Sequence, residues 1–164
     1  MTEKNSKETN LELLQKEYAL LQKKYKLPEF TGLNEIFDIE EADIETEFLM
    51  RKIRRVIIDK ITGYLRFVET ILNPANAPIF FLKLIKKLDP QDREVLGKMY
   101  EHLGNLETEV ICLDLDYSEE KEAQFIKKVY TLFRDSIQKD LLLINYKLIK
   151  DVAVEKRTNG SYFG

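Results

Sequence analysis

The densest group of side chains able to hold an anion is the run Arg51, Lys52, Arg54 and Arg55, with Lys60 and Arg66 following on the same segment. At about 100° per residue on a helix, Arg51, Arg55 and Arg66 fall within roughly 60° of one another, an arrangement that can follow a phosphate backbone. Arg51, Lys52, Arg55 and Arg66 are therefore the candidate contacts to phosphate or to an acidic partner. An acidic run precedes them. From Glu29 to Glu47 the chain carries Glu29, Glu35, Asp38, Glu40, Glu41, Asp43, Glu45 and Glu47 without a single Lys or Arg. Folded back, that segment would neutralise the basic face by charge pairing that needs no ligand.

Other chemistry finds little to work with. Nucleophilic and acid–base catalysis use a reactive side chain beside a His, or a pair of tuned carboxylates. His102 is the one histidine, sits near an expected helix end, and has no Ser or Cys motif beside it. Cys112, the one cysteine, lies between Ile111 and Leu113 and reads as a small buried hydrophobe. A ferritin-like di-iron bundle needs two Glu-x-x-His pairs, and Met99 stands three residues before His102. Asp114, Asp116, Ser118 and Glu120 follow the alternation of a calcium loop, but Glu119 stands where that loop needs Gly and Phe125 where it needs Glu. The glycines Gly32, Gly63, Gly97 and Gly104 are too scattered to cradle phosphates. No catalytic residue, metal ligand or cofactor is expected, nor is a small-molecule substrate evident.

Composition narrows the class further. The 164 residues are 44% hydrophobic and 34% charged, with a formal net charge of -3. A chain of that length buries roughly 70% of its unfolded surface and makes one domain by default. A nearly balanced charge means that nucleic acid or an anionic surface would have to be bound by a local patch. A lone cysteine excludes an intramolecular disulfide and fits a reducing, cytoplasmic setting. The polar N-terminus has neither signal nor anchor character, and no apolar run reaches the ~20 residues of a membrane span. Membrane association is accordingly not expected, although IFFLKLIKKL is a short cationic amphipathic stretch.

These side chains must be positioned by helices. Glu45 to Asn73 is an uninterrupted helical pattern whose apolar positions spread over roughly 200°, too wide for a surface helix and suited to a central one. Before it, Asn10 is placed to cap a helix reaching Lys26, with Leu11, Leu14, Tyr18, Leu21 and Tyr25 as a heptad seam. Leu13, Leu20 and Leu27 add a second edge, so this helix is a candidate partner face. Leu27-Pro28 breaks it. PANAP marks a corner after the central helix, and Pro78 opens IFFLKLIKKL, expected to pack Phe80, Phe81, Leu82, Leu84, Ile85 and Leu88 and to expose Lys83, Lys86 and Lys87. Asp89-Pro90 signals a helix start, with Val95, Leu96, Met99, Tyr100, Leu103, Leu106 and Val110 on its apolar side. ICLDLDY from Ile111 to Tyr117 is the one strand-like stretch, but a lone strand has no partner, so a connector or helix end is expected. Ser118 then starts a last long helix with its seam at Ile126, Tyr130, Phe133, Ile137, Leu141, Ile144, Leu148 and Val152.

The expectation is an all-α, single-domain bundle of about five helices around a long central one, spanning residues 10–157, with flexible segments at 1–9 and 158–164. The function this points to is a non-enzymatic helical interaction or assembly module, self-associating or binding a protein partner. The alternative is a nucleic-acid-associated helical subunit using the Arg-rich face.

Overall fold

The computed structural model describes residues 9–42 and 48–150. The fold is all-α, with no strand among the described residues. Expectations that fall on Asp43, Glu45, Glu47, Val152 and residues 1–8 and 158–164 lie outside the described residues, while Thr9, expected in the flexible N-terminal segment, caps the first helix.

Helix α1 (Asn10–Tyr25) is capped one residue earlier than Asn10, by Thr9. The reason is a reciprocal box: Glu12 N–H donates to Thr9 Oγ1, and Thr9 N–H donates to the Glu12 carboxylate. Lys26 then takes a left-handed conformation at φ 53°, and the Tyr18 hydroxyl donates to the Pro28 carbonyl at 2.8 Å, fixing the turn. Helix α2 (Phe30–Phe37) and a 3₁₀ turn (Ile39–Glu41) follow. The central helix α3 runs Leu49–Leu72, its start set by Phe48 at φ 68°. A 3₁₀ turn at Pro74–Asn76 makes the expected corner into α4 (Ile79–Ile85).

Helix α5 (Pro90–Leu115) begins as read: Asp92 N–H donates to Asp89 Oδ1 at 2.8 Å, and Asp89 N–H donates back to the Asp92 carboxylate at 3.1 Å. It runs through Gly104 and absorbs Ile111–Leu115, so the strand-like stretch is a helix end. Ser118 receives the Lys121 N–H at the start of α6 (Glu119–Leu132). Phe133–Ile137 are wound as a π turn, with Gln138 N–H reaching back to the Phe133 carbonyl, and α7 (Gln138–Lys150) completes the chain.

The helices form two compact units: one from α1 to Ile61 with Glu109–Thr131, the other Thr62–Thr108 with the chain from Leu132 onward. In the first, Leu14 and Tyr18 of α1, Leu33 and Phe37 of α2, Ile53 and Ile57 of α3, and Phe125, Ile126 and Val129 of α6 are buried. Gly32 lets α2 approach α6, since a Cβ there would meet the Tyr130 hydroxyl at 2.7 Å. In the second, Val68 and Ile71 of α3, Leu96, Met99, Leu103 and Leu106 of α5, and Ile144 and Leu148 of α7 are buried. Leu27 and Leu88, each in a connector, are buried as well.

Candidate functional site

Met50, Ile53, Ile57 and Ile61 make the buried stripe of α3 within the first unit, and Arg54 lies on that stripe. Its side chain is 1% exposed and donates through Nε to Glu122 at 2.7 Å and through Nη2 to Asp114 at 2.5 Å. Glu122, itself 0% exposed, sits among Ala123, Phe125 and Ile126 on the packed side of α6. Burial pushes its carboxyl above the ordinary value; the Arg54 guanidinium opposes this most strongly, with Arg51 acting in the same direction and Asp114 against. Glu122 Oε1 and Arg51 Nε are buried without a hydrogen-bond partner among the described residues.

Arg51 is half-buried and stacked, its guanidinium 4.4 Å from the Tyr117 ring centroid and 5.8 Å from that of Phe48. The two rings meet edge to face at 4.8 Å. Burial raises the Tyr117 hydroxyl's pKa, helped by the carboxylates of Glu119 and Glu122. Nearby, Glu119 accepts from the Tyr25 hydroxyl at 2.5 Å and from Lys24 Nζ at 3.0 Å, and those two contacts hold its carboxyl below the usual range. This is a charge cluster satisfied largely by itself.

Among the described residues, the acids that engage the basic block are Asp114 and Glu122, both on Arg54, and Asp38, on Lys60. The 29–47 segment supplies one described ion pair to α3, between Asp38 and Lys60, while Glu40 is taken up by Asn34. Asp116, from the calcium-like alternation, pairs with Lys121. Among the described residues no group of three or more His, Cys, Asp or Glu side chains is placed to hold a metal ion. Of the candidate contacts, Arg51 is engaged as above, Lys52 is half-buried, Arg55 is exposed, and Arg66 is exposed in the second unit. Cys112 is exposed rather than buried, because the packed stripe at that end of α5 is Leu106, Val110 and Leu113, and Cys112 falls beside it.

The seam on α1 divides. Leu14 and Tyr18 are buried and Leu21 and Tyr25 half-buried, whereas Leu11, Leu13 and Leu20 are exposed. Two larger exposed apolar features lie in the second unit. On α7, opposite Ile144 and Leu148, the side chains of Leu142, Leu143, Tyr146 and Ile149 are 63%, 56%, 64% and 56% exposed. At about 100° per residue, Leu142, Tyr146 and Ile149 share an arc of roughly 60°. Exposed Lys139 and Lys150 lie on the same side, with Lys150 Nζ over the Tyr146 ring at 5.9 Å.

On α4, Leu84 and Ile85 are buried and Phe81 is half-buried, as expected, but Ile79, Phe80 and Leu82 are 78%, 58% and 38% exposed. Seven residues make barely two turns, so only the side facing the core can be covered. Beside its N-terminus lies an open cleft of about 420 Å³ lined by Arg66, Glu69, Thr70, Asn73, Ala77 and Pro78. No described helix is long and apolar enough to cross a membrane.

Compared with protein-family models, curated proteins and solved structures, the chain matches none. The class is defined by the fold itself: an all-α protein with a buried charge cluster in one unit and exposed apolar helix faces in the other.

Proposed function

We propose that the chain is a non-enzymatic helical interaction module, cytoplasmic, that docks a protein partner through the outer side of α7. One observation carries this reading: four large apolar side chains, Leu142, Leu143, Tyr146 and Ile149, each more than half exposed, line a helix already packed on its other side. A helix apolar all round is normally covered all round, and a contiguous exposed stripe marks a partner surface. The helix-in-groove mode reads such anchors at i, i+4 and i+7, the spacing of Leu142, Tyr146 and Ile149. Residues 141–150 contain no Asp or Glu. Self-association through this face would set the lysines of two copies against each other, which supports a different chain with acidic flanks as the partner.

The test places a photo-crosslinking amino acid at Leu143 in cells and follows the full chain by light scattering. One recurrent protein, crosslinked at Leu143 and lost in L142S/Y146S, is the expected result. A monomer with no crosslinked partner overturns it. The pair L142S/Y146S leaves folding within ~1 kcal/mol of the parent, since both side chains are mostly solvated. Nucleic-acid binding is the lesser reading: Arg55 and Arg66 are exposed, but the neighbouring Arg51 and Arg54 are committed to Tyr117, Asp114 and Glu122.

A further inference from the structure

From Thr70 to Leu88 the chain has no acidic residue, although Asp and Glu together number 29 in the whole sequence. That stretch contains α4 and most of the cleft before it. From Ile79 to Lys86 its exposed residues are of two kinds, apolar (Ile79, Phe80, Leu82) and cationic (Lys83, Lys86), and neither lysine is ion-paired among the described residues. Around the short helix, Ile79 is central on the outward side, with Lys83 and Lys86 within roughly 40° on either hand. Leu84 and Ile85 anchor the inward side. Phe80 is exposed and stands edge to face on Phe81 at 5.9 Å. The cleft at the head of α4 brings Arg66, Thr70 and Asn73 together, with Glu69 as its acidic member.

We propose that α4 and this cleft form a docking site for an anionic phospholipid surface, with Ile79, Phe80 and Leu82 entering the interface, Lys83 and Lys86 meeting its charge, and Arg66 receiving a headgroup phosphate. Charge complementarity decides the occupant. A protein partner of the kind inferred for α7 reads anchors at i, i+4 and i+7, which the seven residues of α4 are too few to present, and a second copy would face lysine with lysine. An anionic bilayer rewards both features, because apolar side chains reach the acyl boundary while each basic residue near the surface adds attraction. A surface-bound helix of this kind needs no membrane-crossing length, so the site is compatible with the absence of a spanning helix among the described residues. It uses different side chains from the α7 face, and neither reading depends on the other.

The chain has no tryptophan, so F80W in the full-length protein places a single reporter at the site. Its emission is recorded with vesicles of phosphatidylcholine alone and with vesicles containing about 30% phosphatidylglycerol. The expected result is a blue shift and quenching by brominated acyl chains with the anionic vesicles only. Adding K83E/K86E should weaken binding roughly 10-fold or more, R66E should weaken it less, and about 0.5 M salt should reverse it. No shift with anionic vesicles overturns the proposal. So does vesicle binding that leaves Phe80→Trp unshifted, binding indifferent to the lysine reversals, or a shift produced by an acidic peptide and not by vesicles. Circular dichroism of each variant keeps loss of fold apart from loss of binding, and the exposed positions chosen leave the packed side of α4 intact.

Discussion

Arg54 and Arg55 are neighbours in the sequence with opposite surroundings, one enclosed by Glu122 and Asp114 and the other in solvent. Breaking a buried pair from one side strands the remaining charge, a loss of about 3–5 kcal/mol, whereas replacing both members with apolar groups is often close to neutral. R54M should therefore destabilise by about that amount in urea unfolding, and R54M/E122L should recover most of it. The deficit of R54M also depends on pH. With its main opposing cation gone, the Glu122 carboxyl is raised further above 4.5 in the folded state, so the folded protein binds the extra proton. The deficit is then smallest below 4.5 and grows as pH rises through the window above it. Glu119 behaves in the opposite sense. The Tyr25 hydroxyl first, then Lys24, depress its folded value below 4.5, so its contribution is present above that pH and is lost as pH falls through the folded value. Y25F should cost about 0.5–1 kcal/mol near neutrality, at the low end because Glu119 is partly solvated, and the difference from the parent should close on acidification. A gap that held constant to pH ~3 would assign the loss to packing instead.

Among the elements, glycine separates contact from propensity. Gly63, Gly97 and Gly104 lie inside α3 and α5 with nothing within 4 Å of an added Cβ, so G63A, G97A and G104A should each raise stability by about 0.5–1 kcal/mol. G32A meets the Tyr130 hydroxyl at 2.7 Å, and the required shift should offset the helical gain and leave the variant less stable than the other three. Chemical denaturation of the four proteins side by side checks both signs. The same elements show what periodicity can and cannot carry. Helix starts at Asp89 and Ser118 were legible because a capping side chain is a local device, and the corner at PANAP because Pro excludes helix. The cap is Thr9, not Asn10, and its signal is Glu12, three residues on, which completes the capping box. The placement of Arg54 was also within reach, since it falls between Met50 and Ile57 at helical spacing, but a basic run draws attention as a block and hides which member points inward. Glu122, three residues before Phe125 and four before Ile126, carries the same signal on α6. The exposure of Phe80 and Leu82 was not legible, because a short apolar run looks alike whether one side or both are covered.

At the scale of the whole molecule, the all-α class follows from pattern and composition, but the division into two units leaves no mark in the sequence. Its boundaries fall inside α3 between Ile61 and Thr62, inside α5 between Thr108 and Glu109, and at the end of α6 between Thr131 and Leu132. No loop or proline stands at any of them, Gly63 beside the first lies within continuous helix, and a boundary inside a helix has little local chemistry to betray it. The same partition bears on the Arg-rich arc, which looks continuous on a helical wheel. Arg51 and Arg55 belong to one unit and Arg66 to the other. Phosphate-backbone binding gains affinity by releasing one counterion for each neutralised phosphate, so it depends on how many cations engage together. Here Arg54 is enclosed, Arg51 is stacked on aromatic rings, Lys60 is paired with Asp38, and the chain carries a net charge of -3. Fluorescence anisotropy with duplex DNA at about 50 mM salt should accordingly show no binding tighter than ~10⁻⁴ M. Tight, salt-steep binding that disappears in R55E/R66E would instead show the two exposed arginines acting as one site, and would displace the partner-docking reading of the chain.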